Sequence, residues 1–138
     1  MKFSRRDTFA LGAGAAALTF MPFSVHAATE EWIEKFTGGA DVADSGVTLT
    51  APEIAENGNT VPVSVSAEGA SAILLLAAGN PVPGVAEFKF GPLSGSSEGA
   101  TRIRLAGTQD VIAVAKMADG SFAKASQTVK VTIGGCGG

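Results

Sequence analysis

Strand-sized segments divided by turn residues limit the fold of this sequence more than any other feature. After Gly46, apolar residues recur at every second position, most clearly at Val61, Val63 and Val65, with proline and serine between them. This period of two predicts strands with one buried face. Glycine, proline, Asn-Gly or Asp-Gly follows each segment within a few residues, which predicts short turns. This part of the chain is therefore expected to form sheets.

The last two segments predict the centre of one sheet. Residues 109–117 are apolar on both faces except at one lysine and at their ends, which is typical of a central strand. A turn of Asp-Gly then leads into residues 122–133, where Val129, Val131 and Ile133 alternate with polar residues. The pair predicts a hairpin. Further strands are predicted at residues 73–77, 85–90 and 101–105.

About seven short strands without a long helix favour a mainly β fold, an immunoglobulin-like antiparallel β-sandwich over residues 28–133. Pro62 has no amide donor, so its strand is expected to have an unpaired side at that position. A short N-terminal helix is predicted from Thr29, as N-cap, to Phe36, with a stop at Gly38. Its apolar face, which includes Trp32, is expected to pack on the sandwich, and contact with a partner is the alternative.

The first residues predict an export signal, residues 1–27. Lys2 and the pair Arg5-Arg6 precede an uncharged stretch that ends at Val25-His26-Ala27, and this stretch is too short and too weakly apolar for a membrane anchor. Residues 4–9, Ser-Arg-Arg-Asp-Thr-Phe, resemble a twin-arginine signal, with an ordinary secretory leader as the alternative. Either route predicts export, and the twin-arginine route predicts a periplasmic protein.

Removal of residues 1–27 leaves seven basic and twelve acidic residues, a net charge of −5. An acidic chain without a basic run is a poor candidate for binding nucleic acid or anionic membranes. His26 is the only histidine, and the chain has no tyrosine. Histidine-dependent triads and histidine metal sites are therefore excluded from the mature chain, and no metal or other cofactor is expected.

The terminal residues 134–138 predict a flexible arm. Gly134, Gly135, Gly137 and Gly138 surround Cys136, so a thiol is the only side chain in the segment. Glycine loses the most conformational freedom on ordering, which favours mobility. Five extended residues span at most about 17 Å, enough to enter a recessed active site.

Other roles for Cys136 fit the sequence less well. Its glycine neighbours supply no apolar packing, a metal site needs further ligands, and the cysteine is not four places from the end as prenylation requires. An intermolecular disulfide is the serious alternative for an odd thiol in an oxidising compartment. A thiol of ordinary pKa, about 8.5, is only a few per cent thiolate at neutral pH. Activation is therefore expected from a partner's pocket, which predicts a carrier and no catalytic residues in this chain.

Four stretches stand out together, Ala51 to Val63, Asn80-Pro81, Thr101 to Ala106, and Val129 to Ile133 with the glycine-flanked cysteine. They resemble the SoxY family, the carrier subunits of periplasmic thiosulfate oxidation. The resemblance implies a SoxZ heterodimer partner and Cys136 as the covalent attachment point. It further implies that the haem enzyme SoxAX couples thiosulfate to the cysteine, that the hydrolase SoxB releases sulfate and that, where present, the sulfane dehydrogenase SoxCD oxidises the remaining sulfur.

Two other functions stay open on the sequence. Ubiquitin-like sulfur carriers also end in Gly-Gly and use the terminal carboxylate, which would make Gly138 the reactive residue. A structural sandwich module with an incidental tail is the second alternative. Arg102 and Arg104 lie on the outward side of their strand, where ordinary solvation and contact with an acidic partner or an anionic adduct are both open.

Overall fold

The computed structural model describes residues 25–133, with the side chains of residues 25 and 26 excepted. Within these residues one helix and nine strands form in the order α1 (Val25–Thr37), β1 (Val42–Ala43), β2 (Thr48–Thr50), β3 (Ile54–Ala55), β4 (Val61–Ser66), β5 (Ala70–Ala77), β6 (Gly84–Lys89), β7 (Glu98–Ile103), β8 (Gln109–Met117) and β9 (Phe122–Val131). The fold is mainly β, as predicted. Within residues 25–133, no helix has the length and apolar character to cross a membrane.

Two sheets face each other. The larger has the order β1-β9-β8-β5-β6, with β3 also paired to β9, and the smaller has the order β2-β4-β7. The predicted hairpin is confirmed, because β8 and β9 are antiparallel from Gln109 opposite Val129 to Lys116 opposite Phe122. The central position of β8, between β9 and β5, is also confirmed.

The core lies between the sheets. The valines of β4 are buried as their alternation predicts, and Ile73, Leu75 and Val111 of the larger sheet face them. Fully burying a side chain of this size contributes roughly 1.5–3 kcal/mol. The pairing of β2 with β4 stops at Ser64, so Pro62 has a strand neighbour only on the β7 side, as predicted.

Helix α1 covers the outer face of the larger sheet. Ile33 and Phe36 pack against Leu74, Leu76 and Val114, which makes β5 buried on both faces. The Phe36 ring meets that of Phe122 edge-on, with centroids 5.9 Å apart. The packing of Ile33 and Phe36 on the sandwich is confirmed, whereas Trp32 lies with its ring against Gly84 and is 39% exposed.

The start of the helix was predicted wrongly. The helix begins at Val25, so Thr29 lies inside it and is buried, instead of forming the N-cap. Alanines at positions 27 and 28 favour the extra turn, since alanine has the highest helix propensity. Its end agrees with the prediction, because Gly38 has a φ of 69° and donates its N–H to the carbonyl of Glu34.

Two further features differ from the expected antiparallel sandwich. The two-residue strands β1 and β3 run parallel to β9, along its beginning and its end. Ile133, predicted to share the inward face with Val129, lies past the end of β9 and is 65% exposed. The ladder with β8 begins at Gln109 opposite Val129, so the residues beyond lack that neighbour to cover them.

Candidate functional site: the root of the C-terminal segment

The predicted site residues, Cys136 with Gly134, Gly135, Gly137 and Gly138, lie outside the described residues. The structure does describe the segment that leads to them, the end of β9 and residues 132–133, which we call the root. The root is the part of the candidate site whose geometry is fixed by the sandwich.

On one side, the root is hydrogen-bonded to β3 and the residues next to it. Lys130 donates its N–H to the carbonyl of Glu53 at 2.8 Å, and Thr132 donates its N–H to that of Ala55 at 3.1 Å. The Thr132 hydroxyl also donates to the carbonyl of Glu56 at 2.9 Å. This short parallel ladder holds the root against the edge of the larger sheet.

On the other sides, two loops hold the root. The carbonyl of Ile133 accepts the N–H of Gly58 at 2.7 Å, and the carbonyl of Gly58 accepts the N–H of Leu105 at 2.8 Å. Val131 donates its N–H to the hydroxyl of Thr108 at 3.0 Å. The backbone is therefore anchored up to its last described residue, which sets where residues 134–138 leave the domain.

Gln109 joins the loops beside the root. Its amide nitrogen donates to the side-chain oxygen of Asn80 at 2.9 Å and to the carbonyl of Gly107 at 3.0 Å, while its oxygen accepts the N–H of Gly79 at 2.8 Å. The side chain is 8% exposed, so these bonds replace those that water would otherwise supply. Gln109 thus ties the loop after β5 to the loop before β8.

Asn80 completes the connection toward the root. Its side chain donates to the carbonyl of Arg104 at 2.8 Å and accepts the N–H of Ala106 at 2.9 Å. Because Leu105 lies between these two residues and bonds to Gly58, the position of Ile133 depends on the same network.

The charges near the root are exposed. Arg104 lies at the surface next to Leu105, and Arg102 is exposed on β7. Within residues 25–133, the ion pairs are Glu31 with Lys35 and Glu87 with Lys89, so neither arginine is in one. In the same part of the chain, no cluster of three acidic, cysteine or histidine residues is placed to hold a metal.

Far from the root, in the turn between β8 and β9, the hydroxyl of Ser121 donates to the carboxylate of Asp119 and lowers the pKa of Asp119.

Sequence reasoning missed the residues that hold the root. The sequence pattern places Gln109 at the end of the predicted central strand and Thr132 among the alternating polar residues, and it makes no prediction for Thr108. A usable signal was the glutamine at the start of an otherwise apolar central strand, because a polar group there must find partners when it is buried. Asn80 belongs to a predicted turn and to a stretch that carries the family resemblance, and neither observation predicts its hydrogen bonds.

The comparison with protein families matches residues 33–136 to the model described as sulfur oxidation protein SoxY. The chain belongs to the SoxY family. Among solved structures, it is similar to the sulfur carrier protein SoxY from Chlorobium limicola f. thiosulfatophilum, with 33% identity and a TM-score of 0.69 over 78% of this chain and 99% of that one. The resemblance seen in the sequence is confirmed.

A superoxide reductase shares the fold. The neelaredoxin of Ignicoccus hospitalis is 17% identical with a TM-score of 0.55 over 63% of this chain and 80% of that one. A hypothetical protein of Pyrococcus horikoshii is 14% identical with a TM-score of 0.51, over 70% and 98%. At these identities the likeness concerns architecture alone. The comparison with curated proteins gave no match.

Proposed function

We propose that the protein is a sulfur carrier in thiosulfate oxidation, with Cys136 as the covalent attachment point. The family match extends to residue 136 and so includes this cysteine, and the similar SoxY structure is that of a sulfur carrier protein. The observation that carries the proposal is the hydrogen-bonded root, which ends one residue before the glycine-flanked segment begins.

The geometry supports delivery of the thiol to other proteins. Cys136 lies three positions after Ile133, so the cysteine is at most about 11 Å from the root along an extended chain. In the proposed arm the glycines permit many backbone conformations and add no bulk, while the root keeps the pivot in place. A fixed pivot with a thin arm lets one docked orientation place the thiol inside a partner's pocket.

The proposed chemistry requires little of the carrier itself. Coupling joins the Cys136 sulfur to the outer sulfur of thiosulfate as an S–S bond, while the thiol proton is released and two electrons pass to the haem enzyme SoxAX. Water then attacks the terminal sulfonate sulfur under SoxB, which breaks the bond between the two outer sulfurs, releases sulfate and two protons and leaves a persulfide anion on the cysteine. The carrier supplies the thiol and the partners supply the catalytic groups, in keeping with a protein that is not an enzyme.

The proposal includes a SoxZ subunit as heterodimer partner and, where the host has it, SoxCD for oxidation of the persulfide. It also places the mature protein in the periplasm after export through the twin-arginine leader. The SoxY family match supports the proposed Sox partners, and the leader sequence supports the proposed export.

Intact mass spectrometry tests the attachment. Mature protein incubated with thiosulfate and the coupling enzyme should gain the mass of one S₂O₃ group, and a thiol reductant should remove it. Cys136→Ser should gain no mass and should abolish sulfate release in the reconstituted system. Unchanged sulfate release with Cys136→Ser would refute the carrier function.

A further inference from the structure

Strand β7 leaves one edge of the smaller sheet open. It pairs with β4 in a continuous antiparallel register, and within residues 25–133 β4 is its single strand neighbour. Proteins often block an exposed edge with a proline or a β-bulge. β7 contains no proline, and its pairing with β4 contains no bulge. The edge can therefore accept another strand.

The hydrogen-bond pattern shows which residues face this edge. Ser97, just before the strand, accepts the N–H of Ala67 of the β4 side at 3.0 Å. Because alternate residues of an antiparallel strand bond to the same neighbour, the odd-numbered residues of 97–103 face β4. Glu98, Ala100 and Arg102 then direct their backbone groups outward, and among residues 25–133 no other element hydrogen-bonds to them.

The side chains of these three residues form a charge pattern. All three are exposed on the outer face of the smaller sheet, with Glu98 two positions before Ala100 and Arg102 two positions after it. Glu98 and Arg102 are about 14 Å apart along the strand, too far to pair with each other. Neither belongs to an ion pair of the described residues.

We propose that β7 pairs with β7 of a second copy of this chain, antiparallel about a two-fold axis at Ala100. In this register Ala100 lies opposite Ala100 of the second copy, and each Glu98 lies opposite an Arg102. Glu98, Ala100 and Arg102 then each exchange backbone hydrogen bonds with the residue opposite in the second copy. The two three-stranded sheets thereby join into one sheet of six strands. Both opposite-charge pairs then become direct cross-strand neighbours, which stabilises antiparallel pairing. An isologous contact of this kind closes as a dimer and does not extend into a fibre.

The small residues of β7 suit this contact. Ala100 leaves room at the axis, and Gly99 lets the Phe88 ring cover the strand from the core side, since an added Cβ would lie 2.6 Å from that ring. The Phe88 ring therefore covers the core side of β7, while the outward backbone groups of Glu98, Ala100 and Arg102 stay accessible.

Charge reversal tests the register. The protein in the Cys136→Ser background, without SoxZ, is followed by sedimentation velocity from micromolar to millimolar concentration. Self-association is expected, and Arg102→Glu or Glu98→Arg should each weaken it about tenfold or more, because two attractive pairs become repulsive. The double variant Glu98→Arg/Arg102→Glu restores both pairs and should restore the association. Lys116→Glu, an equal charge change on an exposed site of β8, is the matched control and should leave it unchanged.

A backbone variant tests the edge independently. Ala100→Pro removes an outward-facing N–H that the folded monomer does not use, so the far-ultraviolet circular dichroism should be retained while the dimer is lost. A protein that stays monomeric at every concentration overturns the proposal. So does a dimer that survives both single reversals or the Ala100→Pro substitution. Because every measurement lacks Cys136, these outcomes are separate from failure of the carrier function.

Discussion

Gln109 provides the most demanding test of how the root is held. Gln109→Ala removes three hydrogen bonds of a nearly buried side chain, each with a net contribution of about 0.5–1.5 kcal/mol. The expected loss is about 3 kcal/mol in the free energy of unfolding, a large share of the stability of a domain of this size. Urea unfolding followed by circular dichroism measures it.

Gln109→Glu separates the roles of the two amide atoms. The new carboxylate still accepts the N–H of Gly79, yet its second oxygen faces two acceptors, the side-chain oxygen of Asn80 and the carbonyl of Gly107. Burial and the lost donor favour the protonated acid, so its pKa in the folded state should rise above the unfolded value of about 4.3. Relative to the unchanged protein, the variant should therefore lose stability as the pH rises from 4 to 7.

Gln127→Glu is the matched control for this variant. Gln127 is half-buried and makes one side-chain hydrogen bond, to the carbonyl of Ala51. The same substitution there should have a clearly smaller effect on stability and on its pH dependence. If the two variants lose equal stability, or if Gln109→Glu is as stable at pH 7 as the unchanged protein, the proposed role of the network is wrong.

Three other perturbations address the root, the terminus and the hairpin turn. Thr132→Val keeps the shape of the side chain but removes its hydrogen bond to the carbonyl of Glu56. The free energy of unfolding should fall by roughly 0.5–1 kcal/mol, and amide hydrogen exchange at the root should become faster. Unchanged exchange would contradict the anchoring of the root. One alanine added after Gly138 should leave sulfate release intact, whereas a carrier that uses its terminal carboxylate would lose activity. Ser121→Ala should raise the pKa of Asp119 toward its ordinary value in an NMR titration, and a constant pKa rejects the hydroxyl as the cause.

The local sequence pattern determined the longer strands and most of their buried faces. Alternation identified β4 and β9, the doubly apolar run identified β8 as central, and Asp119-Gly120 identified the hairpin between them. These features are local, because the period of two and the turn residues lie within a few positions of each other. The glycine-flanked Cys136 is likewise visible in the sequence alone.

The tertiary structure decided which distant segments meet. The two residues of β3 are too few to show a period, and they become a strand only because β9 offers them an edge. The network of Gln109 and Asn80, the anchoring of Ile133 and the open edge of β7 likewise depend on contacts between residues far apart in sequence. Such contacts follow from how the sheets pack and align, and side-chain periodicity within one segment carries no information about its neighbour.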